Sequence, residues 1–212
     1  MMKSKLIAVM GVSGGGKSTL CQNLVSSDQS IGIIRVENLD YSDKDIARLE
    51  TIFGGDLTRG GTDKRLHMFR MAKLCPDSIK PWEESQEIFA PLVQREIQRM
   101  AELGNDKFIL DCYAMPAMPD IYKTTDLQYQ VNPVDEHQRL HNQMLREFPR
   151  HPEMSHSKIE QMCRFAGDVS DTIMRLGLVK NNFNPIRLHN DYTEKSLQQN
   201  VDIIKSEIDI II

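Results

Sequence analysis

The chain has 212 residues, of which 40% are hydrophobic, and its formal net charge is −4. This length suits one sizeable domain with a core of its own, so we expect a single domain over residues 1–212. The slightly acidic balance gives no reason to expect nucleic acid as a partner. Four scattered cysteines without a C-x-x-C pair favour reduced thiols in a cytoplasm over disulfides or a zinc site. Neither a membrane span nor a removable signal peptide is expected.

A glycine-rich stretch follows the first predicted strand, residues 6–10. Residues 11–19 have the sequence GVSGGGKST, which fits G-x-x-x-x-G-K-[ST] without a mismatch. Apolar residues at helical spacing follow it, so this is the phosphate-binding P-loop in its strand-to-helix context. Lys17 is expected to reach the β- and γ-phosphates of ATP, and the Ser18 hydroxyl to ligate Mg²⁺. The residues expected to bind the nucleotide here are Ser13, Gly14, Gly15, Gly16, Lys17, Ser18 and Thr19.

The second predicted strand, residues 31–36, runs into a polar turn with several acidic residues. A carboxylate there could accept the proton of an attacking hydroxyl group. We prefer Asp40 for that role because it follows the strand directly, whereas Asp43 is better placed to cap the next helix. Two alternatives stay open, namely that Asp40 is the cap or that Asp43 is the base. Ser42, with Asp45 three residues later, is a further candidate cap for that helix.

Helices are predicted between the remaining strands. Residues 57–103 show a helical pattern without strands, and Thr62 is expected to cap one of the helices. Pro91 should kink a long helix or mark a boundary between two helices. A later helix that begins at Ser155 is expected to stop at Gly177.

Five strands alternate with these helices, the last three at residues 107–111, 127–131 and 185–189. The alternation predicts an α/β fold with a five-stranded parallel sheet flanked by helices. Ligands of such sheets bind beyond the carboxyl ends of the strands, and the P-loop, Asp40 and Asp111 all fall there. Asp111 is therefore the candidate acidic partner of the P-loop for Mg²⁺, although an aspartate at a strand end also commonly forms a turn.

Arginines and histidines are concentrated in the proline-interrupted helical segment after the fourth strand. A transferring phosphoryl group needs positive charge, which a mobile lid often supplies. Arg139 and Arg146, near the start of this segment, are the preferred candidates for that role. The histidines lack the H-E-x-x-H arrangement, so solvated polar faces explain them better than a metal site does.

Four further segments of the sequence resemble motifs of one protein family. They are DYSDKDIAR at residues 40–48, FAPLV at residues 89–93, QRL at residues 138–140 and LHND at residues 188–191. With the P-loop and in this order, they resemble dephospho-CoA kinase, a family of P-loop kinases related in fold to the nucleoside monophosphate kinases. The chain departs from that family in four ways. Ala90 replaces its histidine before proline, and DCYAM replaces its Asp-x-Pro-Leu-Leu. The second lid arginine has a different spacing, and the first acidic motif is shifted.

The resemblance implies a P-loop kinase fold with a helical acceptor-side subdomain at residues 57–104 and a lid at residues 133–177. It implies transfer of the γ-phosphoryl group of MgATP to a small-molecule acceptor, the ribose 3′-hydroxyl of dephospho-CoA, which gives coenzyme A. Asn190 would then lie near the adenine. The residues that would take part in the transfer are Lys17, Asp40, Arg139 and Arg146.

Two other functions remain open at this stage. A nucleoside or deoxynucleoside monophosphate kinase needs similar machinery with a different helical wall. A nucleotide-binding regulator would bind ATP without transferring its phosphoryl group. Whichever function applies, we expect the protein to be a monomer or a small homo-oligomer.

Overall fold

The computed structural model describes residues 5–60 and 63–210. The strands are β1 (Lys5–Gly11), β2 (Ile31–Arg35), β3 (Thr58–Gly60), β4 (Asp63–Leu66), β5 (Lys107–Asp111), β6 (Leu127–Pro133) and β7 (Ile186–Asn190). The helices are α1 (Lys17–Ser27), α2 (Asp43–Phe53), α3 (Met68–Leu74), α4 (Lys80–Glu102), α5 (Pro119–Tyr122), α6 (Glu136–Glu147), α7 (His156–Asn181) and α8 (Glu194–Ile210). Short 3₁₀ turns lie at Val36–Asn38, Met115–Ala117 and Phe148–Arg150.

Five of the strands form one parallel sheet in the order β2-β5-β1-β6-β7. This confirms the predicted five-stranded parallel sheet flanked by helices. In the central strand β1, Ile7 and Val9 face one helical layer, whereas Ala8 and Met10 face the other. A parallel sheet that is covered on both faces needs such an unbroken apolar run. Because all five strands run the same way, their carboxyl ends meet at one edge.

Two helical layers cover this sheet. α1 and α8 pack on one face, where the apolar stripe predicted for the last helix contributes Leu197, Val201, Ile204 and Ile208; its remaining member, Ile211, lies outside the described residues. α2, α3, α4 and the C-terminal half of α7 pack on the other face. α7 reaches this core through Val169, Ile173 and Met174. No helix within the described residues is both long and apolar enough to cross a membrane.

The helix after β2 begins as a capping box. The Asp45 backbone N–H donates to Ser42 Oγ over 3.2 Å, and the Ser42 backbone N–H donates to Asp45 Oδ2 over 3.0 Å. The prediction that Ser42 and Asp45 cap this helix is therefore confirmed. Asp43 occupies the first helical position and Ser42 the cap, so the capping role predicted for Asp43 is wrong.

The prediction of a strand-free stretch from residue 57 to 103 is wrong. β3 and β4 pair antiparallel, and the hairpin is closed by a hydrogen bond from His67 N to Leu57 O at 2.8 Å. Leu57 and Leu66, at its base, are fully buried. Strands of three and four residues are too short to leave a clear two-residue periodicity. The cap predicted at Thr62 lies outside the described residues.

Of the two outcomes predicted for Pro91, a kink or a boundary between two helices, the boundary is wrong, and so is the helix end predicted at Gly177. α4 runs through Pro91 as one helix, so no boundary occurs there. α7 continues past Gly177 to Asn181. Gly177 serves close packing instead, because a Cβ atom there would lie 2.5 Å from Ala117 N and from Pro116 C. α7 therefore crosses the 3₁₀ turn before α5 at a distance that only glycine permits.

We expect Gly177→Ala to lower the free energy of unfolding by about 1–3 kcal/mol, the usual cost of overpacking. In an exposed helix the same change would stabilise by about 1 kcal/mol, so the sign distinguishes close packing from helix propensity. Urea unfolding followed by circular dichroism measures it. Val179→Ala, at a position that is 75% exposed on the same helix, is the control and should change stability by less than about 0.5 kcal/mol. An unchanged or more stable Gly177→Ala protein would contradict the packing argument.

Candidate functional site

The P-loop joins β1 to α1 at the carboxyl edge of the sheet. Gly14 and Gly16 have φ angles of 79° and 95°, which are left-handed values that favour glycine. Inside the loop, Gly15 N donates to Val12 O over 3.0 Å. Lys17 folds back over the loop, and its Nζ donates to the same carbonyl over 3.1 Å. The loop thus has a compact shape with the lysine at its rim.

Three consecutive carbonyls of the loop, at residues 13–15, accept hydrogen bonds from outside the motif. Their donors are Arg139 Nη1 at 2.7 Å, Tyr192 Oη at 3.0 Å and Asn190 Nδ2 at 2.9 Å, in that order. In a planar trans peptide the N–H points opposite to the C=O. The N–H groups of the peptide units that these carbonyls belong to therefore point away from the three donors. The Gly15 N–H of this set donates to Val12 O, so the N–H groups of Gly14 and Gly16 are the ones oriented as a loop needs to bind an anion.

Ser18 and Asp111 meet at the end of β5. Ser18 Oγ donates to Asp111 Oδ2 over 3.2 Å, and Arg35 Nε lies 3.5 Å from the same oxygen. Asp111 is 7% exposed, so its charge is poorly screened by solvent. A hydroxyl and a carboxylate are hard oxygen ligands of the kind Mg²⁺ prefers, usually together with substrate phosphates and water. In the described residues no group of three or more His, Cys, Asp or Glu side chains could hold a metal, so these two residues fit Mg²⁺ only as part of such a mixed shell.

A cleft of about 520 Å³ opens over the P-loop. One of the acidic side chains that line it, Glu37, was not predicted as a site residue. Glu37 lies in the 3₁₀ turn after β2 and lines this cleft together with Lys17, Ser18 and Asp111. Burial raises the pKa of Glu37, and the negative charge of Asp111 raises it further, while Arg35 and Lys17 act in the opposite direction. Glu37 is thus a carboxyl group in the same cleft as the P-loop, and its affinity for a proton is increased.

The predicted base, Asp40, is exposed and is not among the residues that line the cleft. Neither is Asp43, at the start of α2. The strand ends at Arg35, one residue earlier than predicted, and the 3₁₀ turn then directs Glu37 into the cleft. The geometry does not support the role predicted for Asp40. The signal that could have identified Glu37 was its position as the first carboxylate after the strand.

Of the two predicted lid arginines, one lines the cleft and the other lies behind the P-loop. Arg146 lines the cleft and pairs with Glu147 at 2.8 Å. Arg139 is 1% exposed and binds the P-loop carbonyl from behind, outside the set of cleft-lining side chains. Asn190, predicted to lie near the adenine, is also buried against the P-loop. Both therefore contact the loop itself.

The rest of the cleft wall is partly polar and partly apolar, and its apolar part includes Phe69 and Tyr113. Phe69 packs edge-on against Phe165 with ring centroids 5.6 Å apart, and Tyr113 is fixed by a hydrogen bond from its hydroxyl to Met68 O at 3.1 Å. Burial raises the pKa of the Cys112 thiol in this wall to about 12, so the thiol stays protonated near neutral pH and is a poor nucleophile. The wall offers aromatic surface and no activated thiol.

The region predicted as a lid, residues 133–177, spans two packing environments. Leu140, Ile159 and Cys163 form a small cluster of their own between α6 and the first turns of α7. The C-terminal half of α7 belongs to the main core beneath the sheet. The region predicted as a lid is therefore not a single packing unit.

No protein-family model matches the sequence, and no curated protein matches it. Among solved structures, the crystal structure of TT1252 from Thermus thermophilus is similar, with a TM-score of 0.53 and 16% sequence identity. The likeness covers 96% of this chain and 97% of that chain. The chain shares its overall fold with TT1252. At this identity the likeness shows the fold alone, and with the parallel sheet it fits a P-loop type of α/β protein.

We expect the carboxyl carbon of Glu37 to titrate above the ordinary glutamate value of 4.5, because burial and Asp111 both disfavour its charged form. A ¹³C NMR titration measures this midpoint. Asp111→Asn should lower it by removing a neighbouring negative charge, and Arg35→Met should raise it by removing a positive one. Asp40→Asn, at an exposed position outside the cleft, is the control and should leave it unchanged. A midpoint at or below the ordinary value would show that Glu37 is solvated.

Proposed function

We propose that the protein is a kinase that transfers the γ-phosphoryl group of ATP to a hydroxyl group of a small molecule. The observation that carries this proposal is the placement of the P-loop, the Ser18–Asp111 pair and Glu37 in one cleft. Phosphoryl transfer requires mainly positioning and electrostatic stabilisation. The cleft contains a phosphate-binding loop, oxygen ligands suited to Mg²⁺ and a carboxylate for the attacking hydroxyl.

The phosphate end of the cleft is assigned to ATP. The P-loop N–H groups and Lys17 would bind the β- and γ-phosphates, after Lys17 exchanges its contact with Val12 O for a phosphate oxygen. Ser18 and Asp111 would hold Mg²⁺, which when bound supplies positive charge that offsets the charge of the phosphate oxygens. Arg146, at the rim of the same cleft, is the candidate that adds positive charge during transfer.

Glu37 is assigned the base. The acceptor oxygen forms a bond to the γ-phosphorus while the bond from that phosphorus to the β–γ bridging oxygen breaks, and ADP leaves. The proton of the acceptor hydroxyl passes to the Glu37 carboxylate. A pKa above the ordinary glutamate value makes Glu37 a better proton acceptor than an exposed carboxylate at the same pH. The raised proton affinity of Glu37 thus suits the removal of a proton from a hydroxyl group, which is itself a weak acid.

The acceptor that we propose is dephospho-CoA, phosphorylated at its ribose 3′-hydroxyl. Support comes from the four sequence segments that resemble the dephospho-CoA kinases and from the aromatic wall of the cleft, where Phe69 and Tyr113 offer surface to a heteroaromatic ring. A nucleoside monophosphate has such a ring too, so the test compares dephospho-CoA with nucleoside monophosphates as acceptors.

The test is a screen of ADP release with dephospho-CoA, each nucleoside monophosphate and no acceptor. We expect dephospho-CoA to accelerate ADP release, and Lys17→Ala to return the rate to the acceptor-free background because the β- and γ-phosphates lose their charged partner. Lys44→Ala, an exposed lysine on α2, is the matched control and should match the parent. Faster ADP release with a nucleoside monophosphate would identify that molecule as the acceptor in place of dephospho-CoA. Binding of ATP without any acceptor-dependent release would indicate a regulator in place of an enzyme.

A second comparison separates the two acidic candidates. We expect Glu37→Gln to lower kcat by about 10²-fold or more, the order expected for loss of a general base, with ATP binding close to normal. Asp40→Asn should leave kcat unchanged, because Asp40 lies outside the cleft. Turnover of both variants at saturating ATP decides between them. If Asp40→Asn is the variant that stops transfer, the base assigned from the structure is wrong.

A further inference from the structure

Arg139 is a buried charge that touches the P-loop from behind. Its guanidinium donates four hydrogen bonds: Nη1 to Ser13 O and to Gln143 Oε1, each at 2.7 Å, and Nε and Nη2 to the two carboxylate oxygens of Glu136. Only 1% of the side chain is exposed. A guanidinium with this many fixed partners is held in one place, because its planar fork of donors matches them all at once.

α7 supplies the space in which the guanidinium lies. Gly167 faces it, and a Cβ atom at that position would be 2.6 Å from Arg139 Nη2 and 2.8 Å from Arg139 Cζ. Glycine in the interior of a helix costs about 1 kcal/mol relative to alanine. The close approach of the guanidinium gives this glycine a packing reason. Arg139 therefore lies between α6, α7 and the P-loop.

All three polar groups of Ser13 are bound by these two helices. Its N–H donates to Ser170 Oγ at 2.9 Å, its Oγ accepts from Gln143 Nε2 at 3.0 Å, and its carbonyl accepts from Arg139. The Ser13 carbonyl shares its peptide plane with the N–H of Gly14. Fixing the carbonyl thus fixes the direction in which this N–H of the loop points.

We propose that Arg139 is a positioning residue that sets the shape of the P-loop through the Ser13 carbonyl, so that it tightens nucleotide binding before transfer begins. This rests on the proposed function, in which the loop binds the phosphates of ATP. It assigns Arg139 a different role from the lid arginine implied by the family resemblance, which would touch the transferring group. The two roles predict different kinetics, because a residue that shapes the ground-state site changes the Kd and KM for ATP, whereas a residue that acts only in the transition state changes kcat.

The test measures the Kd of MgATP by calorimetry together with kcat and KM. Arg139→Met keeps much of the side-chain volume, and we expect it to raise Kd and KM by about tenfold or more, as for loss of a hydrogen bond from a charged donor, with kcat changed by less than about threefold. Arg139→Lys should recover part of this loss, because an ammonium can still donate to Ser13 O but cannot keep every partner. Arg175→Met, at an exposed arginine on α7, is the matched control and should equal the parent.

A second variant keeps the test decisive if Arg139→Met does not fold. Gly167→Ala substitutes no cleft-lining residue, and its Cβ atom would crowd the guanidinium of Arg139, so it should also raise the Kd for ATP while circular dichroism shows an intact fold. If kcat falls and Kd is unchanged in the Arg139 variants, the lid role is right and the positioning role is overturned. Unchanged Kd and kcat in both would also overturn it. A parent protein that binds no MgATP would instead refute the proposed function itself, and this inference with it.

Discussion

The candidate site depends on hydrogen bonds that reach the P-loop from other parts of the chain. Arg139 on α6, with Asn190 and Tyr192 at the end of β7 and just after it, donates to the carbonyls of residues 13–15. A glycine-rich loop has many accessible backbone conformations, and without such partners it would lose more entropy when it binds phosphate. Because these hydrogen bonds order the loop during folding, the entropy is lost in folding rather than in ligand binding. The shape of the P-loop is therefore a property of the packed sheet edge and not of residues 11–19 alone.

The same packing explains why the loop is made of glycine. At Gly14 a Cβ atom would lie 3.0 Å from Gln143 Oε1, and at Gly16 it would lie 2.2 Å from Asn190 Nδ2. At Gly11 it would lie 2.5 Å from the carbonyl of Val131 on the neighbouring strand. Each of these three glycines thus admits a side chain or a strand that packs closely against the loop.

The buried carboxylate of the cleft, Asp111, is paired with a positively charged side chain. Asp111 lies beside Arg35 and Ser18, and Glu37 lies in the same electrostatic environment, with its proton affinity raised by burial and by Asp111. Groups of this kind at a functional site often have displaced pKa values. A cation or an anion that entered the cleft would change this balance, so the affinity of Glu37 for its proton would depend on the charge bound there.

Local sequence determined the elements whose signal is contained within a few residues. The strand at residues 107–111, the capping box of Ser42 and Asp45 and the strand-to-helix context of the P-loop are all local patterns, and the structure has them where the sequence placed them. The parallel sheet followed from the alternation of strands and helices. The short hairpin was missed because its strands are too short to show a clear periodicity. The packing role of Gly177 was instead decided by tertiary structure, because Pro116 and Ala117 lie far from it in the sequence. So was the cleft that Glu37 lines, because distant segments of the chain form it. Arg139 shows the reason most clearly: its spacing marks it only as a helical arginine, and what it binds is settled by a serine 126 positions earlier in the chain.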